Sequence, residues 1–280
     1  MRVEEKTEAR YGLIAGSGQF PLLVLEAARC RGIEMVVAAI REEASPEVAA
    51  RASRLHWLGL GELSRLIAVF RQEGVNRAIM AGKVRHDRIF SSIRPDWKLV
   101  KVLAALPRKN TDSLIGAVAK VLEEEGIHLE DSTHFLEPLL APAGVLTRRG
   151  PDSGEQENIA YGRKVAHGLA QWDIGQTVVI AERACVAVEA MEGTDAAIRR
   201  AAQYAQGKPL TVVKVSKPQQ DMRFDVPVTG PGTVRVMQEA GATALCMDAG
   251  KTLIFDREEM LAVADAAGIA IVGMAPDEPR

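Results

Sequence analysis

The chain has 280 residues, of which 47% are hydrophobic and 26% are charged, and this is typical of a soluble globular protein large enough for two domains. Its 35 Lys and Arg residues nearly balance its 37 Asp and Glu residues, which excludes a general affinity for nucleic acid or anionic surfaces. The start is charged, and no apolar run approaches the ~20 residues of a membrane helix. We therefore expect a cytoplasmic protein without a signal peptide or a membrane span.

The first half alternates short apolar runs with segments of helical periodicity. "YGLIAG" and "EMVVAAI" are typical of strands, and "FPLLVLEAARCRG" between them is typical of a helix that ends at Gly32. A helix "LSRLIAVFRQEG", a strand "RAIMAG" and a helix "TDSLIGAVAKVLEEEG" follow. Residues 1–138 are therefore predicted to form a Rossmann-like domain with a parallel sheet.

Proline, glycine and charge are concentrated between the two halves, which predicts a linker over residues 139–157. Beyond it, "QTVVIAE" and "CVAVEAME" predict a hairpin that turns around Arg183 and Ala184. "LTVVKV" predicts another strand, and "TDAAIRRAAQYA" predicts a helix opened by Thr194 or Asp195. Residues 158–280 are predicted to form a second, mixed α/β domain that carries the catalytic groups.

The segment "GLIAGSGQFP" lies at the turn from the first strand into the first helix. There, backbone amides at Gly16 and Gly18 and the helix dipole can hold a phosphate. The segment is half of a dinucleotide fingerprint, because Pro21 stands where the third glycine would be. A tight turn without a ligand is the alternative. Ser17 and Gln19 join the two glycines as candidate binding residues.

The segment "AGKVRHDR" follows a strand at the carboxyl end of the predicted parallel sheet, the side on which open α/β folds bind ligands. Gly82 leaves room for a ligand, and Lys83, Arg85 and Arg88 supply positive charge. A solvated basic loop is the alternative, and His86 is either a proton donor or a surface residue. The histidines lack the spacing of a zinc site, so zinc is not expected.

The segment "AVEAMEGTDAAIRR" places carboxylates at a change from strand to helix. Glu189, Glu192 and Asp195 can supply the oxygen ligands that a hard divalent cation prefers. A helix cap at Thr194 or Asp195 explains part of this pattern without a metal. A cap does not require Glu192, which is therefore the stronger metal candidate.

The segment "KPQQDMRFDVPVTGPGTV" combines acids, a cation and glycines ahead of an apolar stretch. If the chain is extended there, its period of two directs Asp221, Arg223 and Asp225 to one face. "TGPGT" at residues 229–233 precedes a helix whose first amides can meet an anion. Surface turns would also accommodate the acids. The combination favours metal-assisted attack of water on a phosphoryl group.

These segments resemble a known family. "DIGQTVVIAERACVAVEAMEGTDAAIRR" and "VVKVSKPQQDMRFDVPVTGPGTV" resemble the second domain of the LpxI family of UDP-2,3-diacylglucosamine pyrophosphatases. "GLIAGSGQFPLLVLEAARCRG" and "AGKVRHDRIF" are similar to its first domain, so the resemblance extends from Tyr11 to Gly273. Asn158 departs from the pattern, since an aspartate is expected there.

The resemblance implies a Mg²⁺-dependent hydrolase of lipid A biosynthesis. Such an enzyme cleaves the diphosphate of UDP-2,3-diacylglucosamine to UMP and 2,3-diacylglucosamine 1-phosphate (lipid X), with the substrate held between two domains. The two acyl chains imply an apolar groove, whose exposed lip can rest on the cytoplasmic face of the inner membrane without spanning it.

The resemblance also implies residue roles. The essential aspartate of the family falls on Asp225, with Asp221 and Glu192 as further candidate ligands of Mg²⁺. Lys214, Lys217 and Arg223 are expected to neutralise the phosphates. The other candidates for substrate binding in the second half are Thr194, Asp195, Gln220, Thr229, Gly232 and Thr233.

Two other functions remain open from the sequence. The segment "GSGQF" is compatible with an oxidoreductase that binds NAD(P), although Pro21 disfavours a dinucleotide. A noncatalytic carrier of nucleotides or lipids would use the same acids as structural groups.

Overall fold

The computed structural model describes residues 10–84, 94–106, 111–218 and 220–275, with the side chains of residues 111 and 112 left out. The chain forms two compact units. The first comprises Met1–Leu136 and Met222–Asp225, and the second comprises Glu137–Asp221 and Val226–Arg280. Both units combine helices with a sheet, which confirms the predicted α/β class. The domain limits at residues 138 and 157 stay a prediction.

The first unit contains a parallel sheet with the strand order β3-β2-β1-β4-β5. Its strands are β1 (Arg10–Ala15), β2 (Met35–Ile40), β3 (Arg54–Leu58), β4 (Val75–Ala81) and β5 (His128–Leu129). Because β1 and β4 are neighbours, the order reverses between them. Their carboxyl ends form the topological switch point at which doubly wound sheets bind ligands.

Helices connect these strands: α1 (Phe20–Cys30), α2 (Glu47–Arg51), α3 (Leu63–Gln72), α4 (Trp97–Ala105) and α5 (Thr111–Glu124). Helix α1 has proline in its first turn and ends just before Gly32, whose φ of 72° suits glycine. In α5, Leu114 and Leu122 are buried and lie on the apolar side of the helix. They pack in one core with Phe70, which is fully buried.

The second unit contains a mixed sheet with the strand order β6-β13-β11-β9-β7-β8. These strands are β6 (Gly144–Val145), β7 (Thr177–Ala181), β8 (Ala184–Val188), β9 (Leu210–Lys214), β11 (Ala242–Asp248) and β13 (Ala270–Met274). Strands β9, β11 and β13 are parallel, so their carboxyl ends share one edge. The predicted hairpin is β7–β8, with Glu182 and Arg183 at positive φ in its turn.

The helices of the second unit are α6 (Ser153–Gln171), α7 (Thr194–Tyr204), α8 (Pro231–Glu239) and α9 (Arg257–Ala266). A small ladder pairs β10 (Val228–Thr229) with β12 (Leu253–Ile254). Helix α6 was not predicted, and it begins inside the proposed linker. Asp152 and Glu155 form a capping box at its start. In the described chain, every helix is too short or too polar to cross a lipid bilayer.

Candidate active site

The two glycine segments of the first unit meet at the switch point of its sheet. Residues 16–19 follow β1, and Gly82 and Lys83 follow β4. The Ser17 amide donates to the Lys83 carbonyl oxygen at 2.9 Å, and the Lys83 amide donates to the Ser17 carbonyl oxygen at 3.0 Å. The structure thus brings together two segments that the sequence singled out separately, at the place where such folds bind ligands.

The close approach of these loops explains both glycines. A Cβ atom at Gly16 would lie 2.7 Å from the Lys83 carbonyl oxygen, and one at Gly82 would lie 2.6 Å from the Ser17 carbonyl oxygen. The amides of Gly16 and Ser17 donate to Ala81 and Lys83, so they are already used within the loop pair. A phosphate at this turn must therefore meet residues further along it. Gly18, with a φ of 89° and open space around it, is the first such residue.

The segment Met222–Asp225 belongs to the first unit. The Ser132 amide donates to the Met222 carbonyl oxygen at 2.8 Å, and the Ser132 hydroxyl lies 2.6 Å from the Arg223 carbonyl oxygen. Phe224 packs against the apolar core of the first unit. These contacts hold residues 222–224, which immediately precede the half-buried Asp225.

The chain is not extended at residues 221–225, which was the condition for placing Asp221, Arg223 and Asp225 on one face. Met222, Arg223 and Phe224 form a turn, so strand periodicity does not align Asp221, Arg223 and Asp225 on one face. The physical reason is that Ser132 holds the backbone of the segment while Phe224 enters the core, and the turn satisfies both contacts. Asp221 belongs to the second unit and Asp225 to the first.

In the second unit, Lys214 ends β9 at the carboxyl edge of the sheet. Its ammonium group donates to the Thr194 hydroxyl at 2.9 Å, and that hydroxyl donates to the Glu189 carboxylate at 2.8 Å. The Thr177 hydroxyl lies 3.3 Å from the Thr194 hydroxyl. Two predicted binding residues, Lys214 and Thr194, therefore meet. Glu189 orients them, and the sequence had suggested it only as a possible metal ligand.

The first residues of α7 and α8 also meet at this part of the second unit. The Thr233 hydroxyl donates to the Asp195 carboxylate at 2.9 Å. The N-caps are glycines, Gly193 with a φ of 84° and Gly230, and neither helix start has a side-chain cap in the described chain. Thr194 or Asp195 was expected to be the cap of α7, which was wrong because both lie inside its first turn. Two helix N-termini and a lysine favour an anion.

Thr229 and Gly232 flank the start of α8. Thr229 is only 3% exposed, and its hydroxyl has no hydrogen-bond partner among the described residues. Gly232 is in the first turn of the helix, where the backbone amide groups lack intrahelical partners. Gly232 is suited to contact with an anion, whereas the Thr229 hydroxyl is buried.

Glu192 has partners within its own turn. Its carboxylate pairs with Arg200 at 2.5 Å and accepts from the Ala190 amide at 3.0 Å. The backbone amides of Glu192 and Ala190 hold the pKa of this carboxyl below its ordinary value. A metal ion at Glu192 would have to replace these contacts. Within the described residues, no three or more His, Cys, Asp or Glu side chains form a group suited to a metal ion.

Lys217 and Gln220 lie in the segment that follows β9. The Lys217 amide donates to the Gln220 side-chain oxygen at 2.6 Å, and the Lys217 ammonium group pairs with Asp173 at 2.6 Å. Just before them, the Ser216 amide and hydroxyl each donate to Asp248 at 2.8 Å. The sequence analysis missed Asp248, because a contact between positions 32 residues apart leaves no local pattern.

The sequence also singled out Asn158 and further residues of the basic loop. Arg85, His86 and Arg88 of the basic loop lie outside the described residues. Asn158 is buried at the amino edge of the second sheet, where it donates to the Thr211 hydroxyl at 3.1 Å and accepts from the Arg183 amide at 2.8 Å. Its departure from the expected aspartate therefore lies at the opposite edge from Lys214.

Each unit has its candidate ligand-binding residues at the carboxyl ends of its parallel strands, which is typical of α/β proteins that bind nucleotides and phosphates. The family model described as the LpxI N-terminal domain matches residues 10–139, and the one described as the LpxI C-terminal domain matches residues 142–272. The chain belongs to the LpxI family. It is 32% identical over 279 residues to the UDP-2,3-diacylglucosamine pyrophosphatase LpxI of Caulobacter vibrioides, covering 96% of this chain and 99% of that protein.

Solved structures are more distant. CobK precorrin-6A reductase is 12% identical with a TM-score of 0.32, covering 96% of this chain and 90% of that one. Phosphoribosylglycinamide synthetase from Anaerococcus prevotii is 12% identical with a TM-score of 0.26, covering 62% of this chain and 31% of that one. Similarity at this level carries no argument about fold or function.

Proposed function

We propose that this protein hydrolyses the diphosphate of UDP-2,3-diacylglucosamine to UMP and 2,3-diacylglucosamine 1-phosphate (lipid X), a step of lipid A biosynthesis. The observation that carries the proposal is the match to both LpxI domains, with a pyrophosphatase relative aligned over nearly the full length of each chain. The polar groups at the carboxyl edges of the two sheets support it, because they suit a ligand with a nucleoside and two phosphates.

The catalytic residue of the proposal is Asp225. Its carboxylate orients the attacking water, and the Ser132 contacts with residues 222 and 223 hold its backbone in place. A preorganised group of this kind lowers the barrier because it needs no rearrangement during the reaction. The turn at residues 16–19 contacts the nucleotide, with Gly82 and Lys83 beside it.

The phosphates are assigned to the second unit. Lys214 is held by the Thr194 hydroxyl, and the N-termini of α7 and α8 present backbone amides. A bound diphosphate would thus meet a cation and two helix dipoles, which stabilise the charge that develops on the leaving phosphate. Lys217 adds positive charge in this unit, whereas Arg223 belongs to the first unit.

The carboxylates fit Mg²⁺, which takes hard oxygen ligands and often needs only one or two carboxylates beside substrate phosphates. We assign its binding to Asp225, and Asp221 is a further candidate from the sequence. Arg200 and the Ala190 amide engage the third candidate, Glu192, so a metal ion there would have to replace these contacts. When bound, Mg²⁺ would withdraw electron density from the phosphoryl oxygens and lower the barrier to attack.

The substrate has two acyl chains, so we place the reaction at the cytoplasmic face of the inner membrane, with the protein bound peripherally. The exposed Trp172, Ile174 and Met191 side chains of the second unit can contact lipid. The loops that carry them are neighbours, because a Cβ atom at Gly175 would lie 2.0 Å from the Glu189 carbonyl oxygen.

The experiment is to incubate the purified protein with UDP-2,3-diacylglucosamine and to measure UMP and lipid X, with Mg²⁺ and then with excess EDTA. We expect both products with Mg²⁺ and a large loss of rate with EDTA. An unchanged rate in EDTA would overturn the role of the cation. Failure of every divalent ion to support product formation would contradict hydrolysis and favour the noncatalytic carrier.

The NAD(P) oxidoreductase is tested separately by titration with NADH, followed by its fluorescence. Pro21 lies in the first turn of α1, so the close helix approach that a third glycine would allow is missing. We expect no stoichiometric binding of NADH. Tight binding would revive the dehydrogenase alternative.

A further inference from the structure

A buried ion pair lies at the carboxyl edge of the second sheet. Asp248, the last residue of β11, is 0% exposed, and Arg163 of α6 is 4% exposed. The guanidinium of Arg163 donates to the Asp248 carboxylate at 2.8 Å. Desolvation of two charges can cost as much as their attraction returns, so a buried pair by itself is weak evidence for a role in stability.

The pair connects three strand ends. Arg163 also donates to the Ala275 carbonyl oxygen, just beyond β13, at 2.9 Å. The second oxygen of Asp248 accepts from both the amide and the hydroxyl of Ser216, two residues beyond β9, at 2.8 Å each. The carboxyl ends of β9, β11 and β13 are therefore linked through one carboxylate and one guanidinium.

We propose that Asp248 is a positioning residue for phosphate binding, which it serves by fixing Ser216 and the Lys217 segment that follows. This inference rests on the proposed function, which assigns Lys217 to the phosphates. Ser216 immediately precedes Lys217, and the Lys217 amide donates a hydrogen bond of 2.6 Å to the Gln220 side-chain oxygen. The fixed backbone on both sides of Lys217 and the 2.6 Å pair of its ammonium group with Asp173 together limit the positions of that group. Errors of about 1 Å in such a group cost up to about a hundredfold in rate.

The same unit offers a matched control at the opposite edge of its sheet. Glu155 is 5% exposed and makes two hydrogen bonds of 2.7 Å with Arg149. Arg149 also donates to the carbonyl oxygens of Thr243 and Gly268, near the amino ends of β11 and β13. This pair has the same chemistry as the Arg163–Asp248 pair but lies away from Lys217.

The first experiment compares kcat/KM of Asp248→Asn with that of Glu155→Gln. UMP release is measured at a temperature well below the unfolding temperatures of both variants. Each variant removes the charge of a buried carboxylate, but the Arg149 side chain is 37% exposed whereas that of Arg163 is 5% exposed. Both variants are therefore expected to lower the unfolding temperature, and Asp248→Asn to lower it more. We expect Asp248→Asn to reduce kcat/KM about tenfold or more, and Glu155→Gln to change it less than about twofold. Equal losses of kcat/KM in the two variants would contradict the positioning role and show that Asp248 is only a structural residue.

If Asp248→Asn does not fold, a second pair of variants with smaller structural changes provides the test. Ser216→Ala removes one hydrogen bond to Asp248 and leaves the ion pair intact, whereas Thr211→Val removes a buried hydroxyl at the other end of β9. We expect Ser216→Ala to lower kcat/KM about fivefold to tenfold, with Thr211→Val close to wild type.

A double-mutant cycle separates positioning from general loosening. In a Lys217→Met background, Ser216→Ala should cost less than about twofold, because the group that it positions has already been removed. A full and independent loss in that background, or wild-type activity of Lys217→Met, would overturn the inference. An inactive wild-type protein would instead overturn the proposed function.

Discussion

The Ser132 hydroxyl lies 2.6 Å from the carbonyl oxygen of Arg223, although 91 residues separate the two positions. The same hydroxyl lies 2.6 Å from the Met80 carbonyl oxygen, near the end of β4. A single buried serine thus joins the edge of the first sheet to the backbone two residues before Asp225. The position of the proposed catalytic carboxylate depends on this contact as much as on its own sequence neighbours.

We expect Ser132→Ala to lower turnover about tenfold, because the turn that carries Asp225 loses a side-chain contact at its centre. The neighbouring Thr133→Val is the control, since its hydroxyl donates to Asp131 and not to the turn. Both variants should be compared by UMP release and by urea unfolding. Equal activities of the two variants at equal stability would show that the Ser132 contact does not matter for catalysis.

Gly82→Ala should destabilise the protein by about 3 kcal/mol, because the new Cβ would meet backbone and the φ is positive. The φ of Gly82 is 95°, and the Cβ would lie 2.6 Å from the Ser17 carbonyl oxygen. Gly18→Ala provides the control, since its φ of 89° is equally unusual but its surroundings are open. There we expect a loss of only about 1–2 kcal/mol. Chemical unfolding measures the difference, and similar losses would contradict the close loop approach.

Lys214→Met should raise the KM for the substrate and lower kcat/KM by about a hundredfold, because a cation is removed from the phosphate site. Thr194→Val should have a smaller effect in the same direction, since the ammonium group remains but loses its 2.9 Å partner. Steady-state kinetics of UMP release measure both. A Thr194→Val enzyme with wild-type kinetics would show that the hydroxyl does not orient the lysine.

The acid stability of the second unit should depend on Glu155. Burial alone would raise the pKa of this carboxyl, but hydrogen bonds from Arg149 and the Asp152 amide outweigh it and lower the pKa below the ordinary 4.5. A lowered folded-state pKa means that the stabilisation is complete above the unfolded pKa of about 4.3 and is lost as the pH falls through the folded value. Glu155→Gln should therefore lose less of its free energy of unfolding than wild type between about pH 5 and pH 3.

Urea unfolding at several pH values tests this difference. The exposed Glu26→Gln is the control, because the pair of Glu26 with Arg29 is open to solvent and its contribution is screened. We expect its pH dependence to follow that of wild type closely. Parallel pH dependences for wild type and Glu155→Gln would contradict the assigned role of Arg149.

Local patterns were enough to predict much of the fold. The runs that became β1, α1 and β2 have clear periodicity, and the left-handed glycine at residue 32 marks the helix end. Helix α6 was missed although Asp152 and Glu155 have the spacing of a capping box, because Gly162 falls within the helix and its polar residues follow a stretch typical of a linker. That glycine is needed for packing, since a Cβ atom there would lie 2.8 Å from the Val213 side chain.

The candidate site was predicted only in part, because only some of its residues lie in segments with a local sequence pattern. The local sequence was sufficient to single out Lys214, Thr194 and the two glycine segments of the first unit. The roles of Ser132 and Asp248 depend on contacts between distant positions, 91 and 32 residues apart. The contact of Ser132 also accompanies the turn found at residues 222–224. Contacts between residues far apart in a single sequence leave no local pattern from which they could be predicted.

The most direct test of the proposed reaction is the rate of UMP release from UDP-2,3-diacylglucosamine by wild type and by Asp225→Asn, with substrate binding measured by equilibrium dialysis. The isosteric change keeps the shape of the side chain and removes its charge. We expect the rate to fall by about a thousandfold or more while substrate binding changes by only a few fold. An Asp225→Asn protein that released UMP at the wild-type rate would contradict the assignment of Asp225 as the catalytic residue.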